Sequence, residues 1–139
     1  MSFDAPLRQT TWDIVLRWAL LGGALFDFAF GAAVLINWKW VLRLMKIEIP
    51  VEPTFVYLAA LLSIGLALMW LMGALAPWRY HANITVAAIT RLANGALLGS
   101  LVYRGLLPLL ILLMVGAELV LGALHFIYSR RLATMALSS

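Results

Sequence analysis

Four apolar runs, each about as long as the hydrocarbon core of a bilayer is thick, leave this chain few folds to choose from. They cover residues 14–37, 54–76, 83–103 and 107–128. A helix rising about 1.5 Å per residue needs about 20 residues to cross a membrane, and each run supplies that length. Lipid offers the backbone no hydrogen bonds, so a spanning run must satisfy its own amides within a helix. A soluble alternative fails on composition, because 65% of the 139 residues are hydrophobic and only 12% are charged, with a mean hydropathy of +1.01. Ordinary soluble domains carry about twice that share of charge. A chain this short would also leave roughly a third of its surface in water however it folded.

The expected fold is therefore all-α: one integral membrane four-helix bundle covering residues 1–139, up-down-up-down because its connections are short. Thr10-Thr11-Trp12-Asp13 resembles a capping box at the start of the first span. Between the first and second spans, Trp38 to Pro53 mixes Lys39, Arg43, Lys46, Glu48 and Glu52 with apolar residues three and four apart. This spacing predicts a short amphipathic helix on the membrane surface, ended by Pro50 and Pro53, with Trp38, Trp40 and Arg43 offering a surface to a partner. Pro77 ends the second span, and the fourth is expected to end near Tyr128, before Arg130 and Arg131.

The net charge of +4 does not point to nucleic acid, since the basic residues sit at the ends of apolar runs, where lipid headgroups lie. Arg8, Arg17, Arg79, Arg130 and Arg131 fall on one side, Lys39, Arg43, Lys46 and Arg104 on the other. The expectation is a multi-pass protein of the bacterial inner membrane with cytoplasmic termini. Met1 to Pro6 has no basic stretch leading into a cleavable apolar segment, so the first span is expected to be retained. Cysteine is absent, which removes disulfides, thiolate metal sites, iron–sulfur clusters and c-type haem.

Asp27, Arg91 and Glu118 lie well inside the spans. An ionisable side chain at mid-membrane costs about 2.5–3.5 kcal/mol on insertion scales, so such residues turn inward and take partners. Arg91 and Glu118 lie at similar depth from the loop containing His81, and Asp27 sits within reach of the long arginine. With Asn94 one turn away, the four are expected to form one network. Two carboxylates against one guanidinium leave a surplus negative charge, so one carboxyl is expected to carry a proton. Gly23, Asp27 and Gly31 share one helical face, as do Ala87, Arg91, Gly95 and Gly99, and Glu118, Gly122 and His125. Two readings of this interior stay open: a fixed helix-packing device, or a site for a proton, quinone or lipid.

Arg17, His81 and His125 are further candidates for ligand or lipid contact. A b-type haem between His81 and His125 is disfavoured, because His81 follows the Pro77 break and lacks a rigid setting. No other cofactor and no metal is expected. No phosphate-binding glycine loop, nucleophile elbow or zinc signature occurs, which argues against an autonomous kinase or hydrolase.

Arg17-Trp18-Ala19-Leu20-Leu21-Gly22-Gly23 through Phe30-Gly31, followed by three spans with Gly65 and Gly73 in the second, resembles the DoxX-like family of small four-helix bacterial membrane proteins. The resemblance implies a place beside quinone-linked redox enzymes. Size and resemblance together give the leading expectation: a non-catalytic accessory or anchor subunit of a larger membrane complex, in contact with lipid and other subunits. The alternative is a small proton-coupled transporter acting as a homo-oligomer through Asp27 and Glu118.

Overall fold

A computed structural model describes residues 10–137. Arg8 and the Met1–Pro6 stretch, on which parts of the orientation and leader readings rest, lie outside the described residues. Four helices dominate: α1 (Thr11–Leu44), α2 (Thr54–Leu75), α3 (His81–Tyr103) and α4 (Leu112–Leu137), with a 3-10 turn over Leu109–Ile111 leading into α4. Each contains a segment long and apolar enough to cross a membrane. Among the described residues there is no strand.

The start of α1 is the capping box that the sequence predicts. The Asp13 amide donates to the Thr10 hydroxyl at 3.4 Å, and the Asp13 carboxylate accepts from the Thr10 amide at 2.8 Å. These bonds satisfy amides that a helix start otherwise leaves unpaired. Arg131 from the end of α4 adds a 3.0 Å ion pair to Asp13 and a 3.0 Å bond to the Thr10 hydroxyl. That tie explains one departure from expectation: α4 does not stop near Tyr128 but runs on through Arg130 and Arg131 to Leu137.

The segment after the first span also departs from expectation. Helical structure resumes after a single non-helical residue, Asn37 (φ −151°, ψ 70°), but ends at Leu44, well before Pro50. Lys46 takes a left-handed conformation (φ 57°), and the amides of Lys46 and Ile47 donate back to the carbonyls of Arg43 and Leu42. This is a Schellman stop, formed here without the usual glycine. Val41 is buried with Val34 and Ala60, so one face of the short piece packs on the beginning of α2. Trp38 turns toward α2 as well, edge-on to Tyr57 at 6.4 Å, leaving Trp40 and Arg43 exposed. At the α2 entrance, Thr54 donates its hydroxyl and amide to the Glu52 carboxylate, which holds that carboxyl below its usual range.

Packing is most extensive between α1 and α2 and between α3 and α4. Small residues set the spacing. A Cβ on Gly31 would stand 2.8 Å from the Ala60 carbonyl oxygen, and one on Gly122 would stand 3.1 Å from the Leu92 amide nitrogen. Backbones this close need glycine, and close approach replaces the hydrophobic drive that lipid cannot supply. The two pairs join through Leu16, Leu20, Ala24, Trp70, Ala74, Ile84, Ala87, Tyr128 and Leu132, a buried cluster drawn from all four helices. Gly73 lets α2 approach Ile84, and the Asn83 amide donates to the Met69 carbonyl at 2.9 Å.

Arg17 has a structural task. Its Nε and Nη2 donate to the carbonyls of Ala74 and Leu75 at 2.6 and 3.1 Å, capping the C-terminal end of α2 with a cation where the helix dipole favours one. The side chain also lines a groove of about 350 Å³ with Trp18 and Leu21. Because Arg17 is only partly buried, Arg17→Met is expected to cost about 1 kcal/mol, read as a lower unfolding midpoint in mixed-micelle titration.

Candidate functional site

The inward turn of the buried charges follows from the helix faces. On α3, Ile84, Ala87, Ala88, Arg91 and Gly95 form the buried side, and Arg91 is 1% exposed. On α1, Gly23, Asp27 and Gly31 are buried at four-residue spacing, as the sequence predicts. On α4, Glu118, Gly122 and His125 are likewise buried.

These faces meet at Arg91. Its Nη2 pairs with Asp27 Oδ2, and its Nη1 donates to Glu118 Oε1 at 3.1 Å. One guanidinium therefore joins α1, α3 and α4. The second helix contributes an aromatic floor, because the Trp70 ring lies 4.4 Å beneath the guanidinium carbon. A desolvated cation over an indole face is the strongest form of that contact. Room for the arginine comes from Gly23, where a Cβ would stand 2.9 Å from Arg91 Nη2.

Asn94 does not join the network, contrary to expectation. It is exposed, and no hydrogen bond to its side chain occurs among the described residues. The reason lies in what covers its face: Ala87, two turns earlier, is fully buried within the four-helix cluster, whereas at Asn94 that cover has ended. The carboxylates are slightly more exposed than their cation, 12% at Asp27 and 9% at Glu118 against 1% at Arg91.

His125 is completely buried, and its Cε1 lies 3.6 Å from the Cβ position of Gly23, so it borders the ion triad. His81 is placed differently. Its Nε2 lies 2.9 Å from the Ser129 carbonyl oxygen and 3.3 Å from the Ser129 hydroxyl, which in turn lies 2.7 Å from Thr85 Oγ1. The two imidazoles thus serve different neighbourhoods one turn of α4 apart. Sequence reasoning missed Ser129, Thr85 and the floor under Arg91. The spacing of Ser129 four residues after His125, and of Thr85 four after His81, was the available signal.

The site is an interior ion triad with a buried imidazole beside it, and the chain around it is a multi-pass helical membrane protein. No family model matches the chain, and no curated protein or solved structure is significantly similar to it.

Proposed function

We propose that this chain is a non-catalytic subunit of a larger bacterial membrane complex, crossing the inner membrane up-down-up-down with its termini in the cytoplasm. Asn94 is the observation that carries this reading. It sits near the middle of α3, about 13 residues from one end and nine from the other, and presents an amide outward at a depth where lipid offers it no partner. A neighbouring transmembrane helix satisfies such a group by hydrogen bonding. Gly116 on α4, with open space beside it, gives that helix room to approach. Short pairs meeting end to start, Arg17 with Ala74 and Thr85 with Ser129, support the alternating path of the spans. Exposed Trp40 and Arg43 then lie at the membrane surface as a further contact for the partner.

The likeness to DoxX-like proteins favours a quinone-linked partner, with quinone or lipid as the bound small molecule. Extraction in mild detergent tests the reading. The chain is expected to migrate with a stoichiometric companion, and Asn94→Leu is expected to release that companion while leaving the chain folded. Migration of the wild type as a free monomer contradicts it.

A second reading has its own support. Asp27 and Glu118 share one cation, so a protein with both carboxylates ionised holds a net negative charge at mid-membrane. Neutrality requires a proton there, and a proton held in exchangeable form is the working part of a proton-coupled transporter. Flux driven by a proton gradient in liposomes is expected to disappear in Asp27→Asn and Glu118→Gln; flux unchanged in both removes this reading.

A further inference from the structure

Around Arg91, three helices bring buried polar atoms that have no hydrogen-bond partner: Trp70 Nε1 from α2, Arg91 Nε from α3, and both ring nitrogens of His125 from α4. The fourth helix meets them at Gly23, the point on which the guanidinium and the imidazole both converge. The Ala19 backbone also lies near the His125 ring. Buried polar atoms are almost always paired, with protein or with ordered water. Tryptophan and arginine offer only donors, whereas a neutral imidazole offers one donor and one acceptor. A small molecule that both accepts and donates satisfies this set, and water is the one that a closed interior admits.

The polar atoms continue toward one membrane face. Ser129 follows His125 by one turn of α4, about 6 Å along the axis. Its hydroxyl meets Thr85 and His81, and His81 begins α3 beside the Trp78-Arg79-Tyr80 connection. Elsewhere the spans are overwhelmingly apolar, so this file of hydroxyls and imidazoles is not what packing alone requires. At its inner end, the charged group that acts on His125 is Arg91 from α3, whose guanidinium in turn holds Asp27 from α1 and Glu118 from α4, while α2 contributes Trp70 beneath it.

We propose that His125, Ser129, Thr85 and His81 form, with bound water, a proton path between the Asp27–Glu118 carboxyl pair and the membrane face that carries His81. The inference rests on the proton-holding reading of the triad. In one passage a carboxyl O–H bond breaks, and its proton passes through water to one nitrogen of the imidazole. The other nitrogen releases its own proton toward Ser129. Each hydroxyl or water along the file makes one O–H bond as it breaks another, and bulk water at His81 takes the last proton. No electrons are transferred. The reverse sequence reloads the carboxyl.

The experiment follows the protonated-carboxyl infrared band of the full-length protein in lipid after a rapid switch to deuterated buffer, with Asp27→Asn and Glu118→Gln assigning the band. His125→Gln preserves a buried hydrogen-bonding group but cannot relay a proton through two ring nitrogens, and it is expected to slow exchange by about a hundredfold. Ser129→Ala, a smaller change that leaves the helix intact, is expected to slow it in the same direction. Thr134→Ala, on an exposed hydroxyl of the same helix, is expected to leave the rate unchanged. Equal rates in wild type, His125→Gln and Ser129→Ala overturn the path and leave the triad's proton in place. A wild type without a protonated-carboxyl band at neutral pH overturns both.

Discussion

Arg91→Leu is expected to destabilise the protein by about 3–5 kcal/mol, the range measured when one partner of a buried ion pair is removed. Two carboxyl groups would then face each other at mid-membrane without their only shared cation. The loss would come from the uncompensated charge more than from lost packing, since leucine fills much of the same space. A triple replacement makes the distinction: Arg91→Leu with Asp27→Leu and Glu118→Leu is expected to recover most of the lost stability, because apolar side chains of similar volume replace buried ions at little cost. Unfolding titrations in mixed micelles read both effects. If Arg91→Leu unfolds at the wild-type midpoint, the guanidinium does not hold three helices together.

The second large effect is steric. Gly31→Val is expected to cost at least about 1–3 kcal/mol, because even its Cβ would press on the Ala60 backbone carbonyl, which no rotamer change can move aside. Ile64 Cγ1, 2.7 Å from the same position, removes the remaining room. Gly65 provides the contrast on the facing helix. Nothing lies within 4 Å of a Cβ there, so Gly65→Ala is expected to be neutral or slightly stabilising through its better helix propensity. Equal unfolding midpoints for Gly31→Val and Gly65→Ala would show that α1 and α2 do not approach closely at Gly31.

Most of the fold was legible because membrane helices announce themselves by length. The end of α2 and the Thr10 cap fell where apolar runs and capping residues put them. The start of α2 at Thr54 and the end of α3 at Tyr103 did so too, whereas the far ends of α1 and α4 were set by local geometry that composition does not carry. Lys46 in a left-handed conformation stops the first helix, and a salt bridge from Arg131 to Asp13, 118 residues away in the chain, carries the last one past its apolar run. The triad was legible for a related reason: an ion in lipid must find its counterion, and only two carboxyls lay within reach of Arg91. Asn94 was not, because a neutral amide lacks that compulsion. Its placement depends on where the cover over the face of α3 ends, a tertiary property that four-residue spacing cannot reveal. Arg17 was visible as a basic residue near a membrane face, but its partners are backbone carbonyls, which leave no mark in a sequence.

The interior contact of Asp27, Arg91 and Glu118 exists only in a chain that crosses the membrane four times. Because the chain has no native cysteine, single-cysteine variants read the crossings directly. Glu52→Cys, Arg79→Cys and Arg104→Cys place a thiol in each of the three connections. In sealed vesicles treated with a membrane-impermeant maleimide, the first and third are expected to react from one side and the second only from the other. Reaction of all three from the same side would contradict the four-crossing arrangement and, with it, the burial of Asp27, Arg91 and Glu118 in lipid.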